Sequence, residues 1–71
     1  MMALQSMRHT VESLNKLHAI TGALVRVPFD EYLEVLVGFY KIDRVNVLAL
    51  ARCGHYSPTS DGRFVWTGRG L

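Results

Sequence analysis

The sequence predicts a small α+β domain whose elements follow the order helix, strand, helix, helix, β-hairpin. Three observations predict it: apolar residues at helical spacing in the first third of the chain, two further helical segments joined by a tight turn, and an Asp61-Gly62 pair between β-compatible runs near the end. The chain has 71 residues, of which 49% are hydrophobic and 20% charged. This composition is typical of a folded chain, and the length is that of one domain, residues 1–71.

The first predicted helix covers residues 3–20, because apolar residues recur there at spacings of three and four. These residues are Leu4, Met7, Val11, Leu14 and Leu17. The Thr21-Gly22 pair is a typical helix end. Residues 23–27 are rich in β-branched side chains and are followed by Pro28, so they predict a short strand at the edge of a sheet.

The second predicted helix begins at residues 29–31. Asp30 is expected to cap it, and Glu31 and Glu34 lie near the positive end of its dipole. Its apolar residues follow the helical period as far as Tyr40, and we expect the helix to be buried on more than one side. The sequence places no His or Lys to complete a catalytic set with these carboxylates, so they do not indicate acid–base chemistry.

A tight turn, Lys41-Ile42-Asp43, separates the second helix from the third. Asp43 is expected to cap the third helix, which covers about residues 44–53 and ends at Gly54. Two helices joined by so short a turn form a helix-turn-helix unit.

The last predicted element is a β-hairpin made by residues 55–60 and 63–67, because Asp-Gly between β-compatible runs is a strong hairpin signal. Phe64 and Trp66 share one face of its second strand, and Arg63 and Val65 share the other. We expect one of the two aromatic side chains to close the core, although aromatic residues interleaved with arginines also occur in single-strand binders. The other expected core residues are Leu33, Leu36, Val47 and Leu50.

Charge is unevenly distributed along the chain. Residues 1–40 carry a net charge of −1 and residues 41–71 a net charge of +3, within a formal total of +2. An anionic partner is therefore expected to contact the C-terminal half. The alternative is a solvated face with a few surplus arginines.

The element order resembles the winged-helix domain over nearly the whole chain; in that family the third helix is presented to DNA and the hairpin is the wing. Residues 43–48 (Asp-Arg-Val-Asn-Val-Leu) and 62–68 (Gly-Arg-Phe-Val-Trp-Thr-Gly) are similar to the end of the recognition helix and the wing of the E-two-factor/DP transcription factors. Phe39 and Tyr40 stand where that family has two guanine-reading arginines. Residues 56–70 also look like the DNA-binding loop of the bacterial H-NS proteins.

The resemblance implies a small regulatory protein that binds duplex DNA through residues on or just before the third helix and on the wing. These residues are Lys41, Arg44, Asn46, Arg52, Arg63 and Arg69. The alternative is a winged-helix interaction module or small inhibitor that binds a protein and no nucleic acid. Apolar residues on the third helix favour this alternative, because they cannot all point inward together.

We also expect the chain to bind a second copy of itself or another protein. A core of this size cannot cover both faces of the second helix and the whole stripe of the first. The predicted contact is formed by Leu4, Met7, Val11 and Leu14, and a symmetric dimer is the simplest closed solution. The competing interpretation is that this stripe packs inside its own domain.

The sequence contains no motif typical of a zinc-binding protein, an enzyme, a nucleotide-binding protein or a membrane protein. Cys53 and His55 make one weak ligand pair, whereas a zinc site needs four N or S ligands. The sequence has no nucleophile elbow, phosphate-binding glycine loop, signal peptide or apolar segment of ~20 residues. We therefore expect no enzymatic activity, cofactor, small-molecule substrate or membrane insertion. With a single cysteine, we expect an intracellular protein.

Overall fold

The structure, a computed structural model, describes residues 6–68 and contains three helices and three strands in that range. In chain order they are α1 (Met7–Thr21), β1 (Leu24–Val25), α2 (Phe29–Gly38), α3 (Arg44–Arg52), β2 (Tyr56–Pro58) and β3 (Phe64–Trp66). The α+β class and the predicted element order are confirmed, and the strands are shorter than the β-compatible runs. Within the described range, none of the helices combines the length and the apolarity that crossing a membrane requires.

Hydrogen bonds to the backbone fix α1 at both ends. Ser6 caps its start, with Oγ accepting the backbone N–H of His9 at 3.1 Å. Gly22 follows the last residue with a φ of 94°, and its N–H donates to the carbonyl of His18 at 2.9 Å. Glycine tolerates this positive φ, so the helix ends where the Thr21-Gly22 pair predicts. The predicted first turn, with Leu4, lies outside the described residues.

The start of α2 differs from the prediction. Pro28 is the N-cap, and its carbonyl accepts the N–H of Tyr32 at 3.1 Å. The prediction that Asp30 caps this helix is wrong, because Asp30 lies inside the first turn. There it still benefits from the positive end of the helix dipole. The helix ends at Gly38, short of the predicted Tyr40.

A buried isoleucine holds the turn between α2 and α3. Ile42 is buried, and its N–H donates to the carbonyl of Leu36 at 2.9 Å. Lys41 before it has a φ of 60°, which non-glycine residues rarely adopt. Asp43 then caps α3 by accepting the N–H of Val45 at 3.0 Å, as predicted.

The three strands form an antiparallel sheet with the order β1-β3-β2. Val25 of β1 lies opposite Phe64 of β3. β1 is therefore an edge strand, as predicted. In the hairpin turn, the N–H of Thr59 donates to the carbonyl of Arg63 at 2.8 Å, and Gly62 has a φ of 86°. This positive φ explains why glycine follows Asp61.

The predicted core residues are confirmed. The four helical ones and Trp66 are buried, and Phe64 is half-buried against them. The other buried apolar side chains are Val11, Leu14, Val25, Tyr32 and Ile42. The expectation that α2 is buried on more than one side is wrong: α2 buries one broad face, and Glu31, Glu34 and Val35 lie on the surface.

The apolar stripe of α1 packs inside its own domain. Val11 and Leu14 are buried in the core, and Met7 packs against it. These three side chains are therefore covered by the same chain and do not form the exposed contact expected for a partner. This is the arrangement of the competing interpretation: the stripe belongs to the same buried cluster as residues of α2, α3 and β3.

Candidate nucleic-acid interface

Asn46, one of the residues expected to contact DNA, is directed towards α1. Its Nδ2 donates to Oγ1 of Thr10 at 3.0 Å. Thr10 is fully buried, and Asn46 is half-buried. Oγ1 of Thr10 in turn donates to the carbonyl of Ser6 at 3.3 Å. The Asn46 side chain therefore joins α3 to α1, and this bond takes it away from the outer face of α3.

The cations predicted on or before α3 lie on the surface. Nη2 of Arg44 lies 3.1 Å from Oε1 of Glu34, and both side chains are exposed. Such a surface pair is worth at most about 1 kcal/mol, so a phosphate can compete with Glu34 for Arg44. Arg52 is exposed in the last turn of α3, and Lys41 is exposed in the turn before the helix.

The outer face of α3 is mainly apolar between its two arginines. Val45 is 70% exposed, and Leu48 and Ala49 are half-buried. Recognition of base edges requires side-chain donors and acceptors. This face therefore offers Arg44 and Arg52 for phosphates and little for base recognition.

The hairpin turn places Arg63 beside a carboxylate. Nε of Arg63 lies 3.0 Å from Oδ2 of Asp61, and the hydroxyl of Thr59 also donates to Asp61. The hydrogen bond from Thr59 lowers the pKa of the Asp61 carboxyl, and the backbone N–H and guanidinium of Arg63 lower it further. Asp61 is therefore ionised at neutral pH. It fixes the turn and partly neutralises Arg63.

Arg26 lies beside the hairpin turn that carries Arg63, and the sequence analysis missed it. Arg26 directly follows β1, and Arg63 directly precedes β3, the strand that pairs with β1. Both arginines line a cleft of about 380 Å³ between the β1–α2 connection and the hairpin. To identify Arg26 as a site residue from the sequence, one would need to predict that β1 pairs with β3. Arg69 lies outside the described residues.

Aromatic side chains fix the hairpin to the helices. The ring centroid of Phe64 lies 5.4 Å from that of Phe29 and 5.5 Å from that of Tyr32. Trp66 is buried, and its Nε1 donates to Oδ1 of Asn15 at 2.9 Å. The interpretation that an aromatic residue of β3 closes the core is confirmed for Trp66. Arg63 therefore directly precedes a strand that is packed against two helices, α1 and α2.

A chain of hydrogen bonds runs through the core from α1 to β2. Nδ1 of His18 lies 2.9 Å from the carbonyl oxygen of Gly22, which can only accept, so Nδ1 is the donor. Nε2 of His18 lies 2.8 Å from the hydroxyl of Tyr32, which lies 2.6 Å from the hydroxyl of Tyr56. Burial raises the pKa of Tyr32 far above its usual value and that of Tyr56 to about 12. Both hydroxyls are therefore protonated at neutral pH and stabilise the fold.

Among the described residues, Cys53 and His55 are not part of a larger set of metal ligands. Cys53 is exposed after α3, and His55 is buried beside Trp66. Among residues 6–68, no group of three or more His, Cys, Asp or Glu side chains is placed to hold a metal ion.

Comparison with known proteins identifies no relative of this chain. No protein-family model matches the chain, and no curated protein and no solved structure matches it. The function is therefore inferred from geometry and charge.

Proposed function

We propose that this chain is a small regulatory winged-helix protein that binds duplex DNA, with α3 and the hairpin on the DNA side. The α2-turn-α3 unit, followed by a hairpin whose second strand pairs with β1, supports the winged-helix assignment. The observation that carries the proposal is the cleft beside the hairpin turn, which Arg26 and Arg63 both line.

Phosphate contacts suit this surface better than base contacts. A guanidinium presents several N–H donors in a planar fork that fits a phosphate. Arg26 and Arg63 supply two such groups along one cleft, and exposed Arg52 supplies a third at the end of α3. The apolar outer face of α3 supplies few donors for base edges. The proposed binding therefore depends weakly on DNA sequence and steeply on salt.

The test is a titration of the chain with duplexes of different sequence at two salt concentrations. Replacing Arg26 and Arg63 together with Gln should weaken binding to all duplexes alike. It should also reduce the slope of log K against log salt by about one unit per lost phosphate contact. An unchanged affinity and slope in this double variant would show that the hairpin tip does not contact DNA.

Two further variants control this experiment. Arg8→Gln removes an exposed cation from the first turn of α1 and should leave the salt slope unchanged. Asp61→Asn removes the carboxylate that pairs with Arg63 while keeping an acceptor for the turn, so it should strengthen binding. If Arg8→Gln weakens binding as much as the double variant, the effect comes from overall charge and not from the hairpin tip.

The second candidate function is a protein-interaction module or small inhibitor that uses no nucleic acid. Val45, 70% exposed on the outer face of α3, favours this candidate, because large apolar side chains in the middle of that face suit a protein partner. The same titration separates the two functions. A chain that binds none of the duplexes at low salt would favour the interaction module.

A further inference from the structure

Two neighbouring clefts lie on the surface formed by α1, the end of β1 and the C-terminal end of α2. The first, of about 240 Å³, is lined mainly by apolar residues, among them Leu17, Val35 and Tyr40. The second, of about 360 Å³, is lined by Leu17, Ile20 and Tyr40 together with polar residues of α1. Leu17 and Tyr40 line both clefts, so the two hollows are adjacent. We call this surface the α1–α2 groove and define it by Leu17, Ile20, Val35 and Tyr40.

Large apolar side chains are exposed along the α1–α2 groove. Ile20 is 86% exposed and Val35 is 50% exposed. Phe39, 75% exposed, packs edge to face against the ring of Tyr40, with centroids 4.9 Å apart. Apolar side chains that gather on one surface mark interaction sites. A small ligand inside one cleft would leave Ile20 and Phe39 in water, so the surface suits a macromolecule.

Each cleft has one cationic side chain, and neither has a carboxylate, among the described residues that line it. Arg26 lines the first cleft and Lys16 the second, and both are exposed. Neither cation forms an ion pair with another described residue. Exposed Lys41 directly follows Tyr40. The acidic residues of α1 and α2 lie outside both linings, and these are Glu12, Asp30, Glu31 and Glu34, the last paired with Arg44.

We propose that the α1–α2 groove binds an acidic amphipathic helix of a partner protein. Such a helix inserts apolar side chains that lie one turn apart into a hydrophobic groove, and the two adjacent hollows receive two of them. An apolar cavity of about 150 Å³ holds benzene, so each cleft has room for a side chain as large as Leu or Phe.

The charges of the groove determine the chemistry of the partner. Carboxylates beside the two inserted side chains would meet Arg26 at one cleft and Lys16 at the other, which is the complementarity that selects a partner. A second copy of this chain, docked groove to groove, would bring cations against cations. The occupant is therefore a different and acidic chain. This binding goes beyond the proposed DNA interface and shares only Arg26 with it.

The experiment is a fluorescence anisotropy titration of the full chain with two labelled peptides of about 15 residues, long enough to form a helix. Both peptides carry Leu at positions i, i+3, i+4 and i+7, and the flanking positions are Glu in one peptide and Lys in the other. The Glu peptide should bind, and more weakly as salt is added. The Lys peptide should bind about tenfold more weakly or less, because like charges then meet. Equal binding of the two peptides, or no binding of the Glu peptide, would overturn the proposal.

Substitutions of valine locate the binding surface. Val35→Glu places a carboxylate in the first cleft and should weaken binding of the Glu peptide about tenfold or more. Val45→Glu is the matched control, because it makes the same change at a residue that is 70% exposed on α3, and it should bind as the parent chain does. Circular dichroism checks that both variants are folded. A folded Val35→Glu protein with unchanged affinity would show that the groove is not the binding site.

Substitutions of the cations test the charge argument separately. Arg26→Gln and Lys16→Gln should each weaken binding of the Glu peptide by about two- to fivefold, the range for exposed ion pairs. Arg52→Gln, at the exposed end of α3, should leave it unchanged. An equal loss in Arg52→Gln would show an effect of overall charge and overturn the proposal. Arg63→Gln should weaken DNA binding alone and Lys16→Gln peptide binding alone, so failure of one proposal is distinguishable from failure of the other.

Discussion

At the residue scale, the core contains two histidines in different situations. Both stack on Trp66, with ring centroids 5.9 Å away for His18 and 6.1 Å away for His55. Both ring nitrogens of His18 have hydrogen-bond partners. Neither ring nitrogen of His55 has one among the described residues. A buried polar group without a partner costs about 1–3 kcal/mol of desolvation, so we expect the His55 ring to lower the stability of the fold.

We therefore expect opposite effects from the same substitution at these two positions. His55→Phe should raise the free energy of unfolding by about 1 kcal/mol, because it removes unpaired polar atoms and keeps the stacking on Trp66. His18→Phe should lower it by about 1–3 kcal/mol, because the Gly22 carbonyl loses its side-chain partner and the Tyr32 hydroxyl keeps only that of Tyr56. Urea unfolding of both variants measures the difference. A destabilised His55→Phe protein would show that the His55 nitrogens are hydrogen-bonded.

The paired tyrosines make stability fall at high pH. An unfolded tyrosine ionises near pH 10, whereas burial holds the pKa of Tyr56 at about 12 and that of Tyr32 higher still. The folded state therefore binds more protons than the unfolded state above about pH 10, and stability present below that pH is lost as the pH rises. Each tyrosine contributes up to about 1.4 kcal/mol per pH unit to this loss.

Urea unfolding at a series of alkaline pH values checks this dependence. Tyr56→Phe leaves one perturbed tyrosine in place of two, so its free energy of unfolding should decline less steeply above pH 10 than that of the parent chain. The ultraviolet absorbance of tyrosinate supplies an independent readout. Equal slopes for the two proteins would contradict the raised pKa of Tyr56.

At the element scale, the features that the sequence predicts depend on neighbouring residues. The end of α1 at Gly22 and the cap of α3 at Asp43 follow from local backbone chemistry, and both are confirmed. The hairpin at Asp61-Gly62 follows from turn geometry. The cap of α2 was missed because an Asp in the first turn and an Asp at the N-cap give nearly the same local pattern. The structure separates them by placing Pro28 at the boundary.

The candidate site was less predictable because it depends on which elements meet. Nothing near Asn46 in the sequence indicates that Thr10 on α1 will take its side-chain amide. Arg26 and Arg63 line one cleft only because β1 pairs with β3, although two helices lie between these strands in the sequence. Periodicity identifies the apolar stripe of α1, but it does not show whether this chain or a partner covers Val11. Each of these three features depends on contacts between residues that are far apart in the sequence.

At the scale of the whole molecule, the small core leaves two different surfaces outside it. One carries Arg63 in the hairpin turn with Arg26 beside it, and the other carries the exposed apolar side chains Ile20, Val35 and Phe39. Arg26 lines the cleft beside Arg63 and also a smaller cleft between α1, β1 and α2, so the two surfaces meet at the end of β1.

The same small core makes the fold sensitive to a single internal cavity. Leu36 is 1% exposed at the centre of the core, and Leu→Ala at such a site costs about 2–5 kcal/mol. The net stability of a domain of this size is about 4–11 kcal/mol. Leu36→Ala should therefore remove a large part of the stability.

Thermal and urea unfolding measure this loss. Val45→Ala is the control: it removes an aliphatic side chain that is 70% exposed on α3, outside the core, and should change stability by less than about 0.5 kcal/mol. If the two variants shift the melting temperature by the same few degrees, the helical phase assigned to α2 is wrong. A large loss confined to Leu36→Ala requires that α2 present Leu36 to the core, because only a cavity of that size, and not the change in helix propensity, accounts for several kcal/mol.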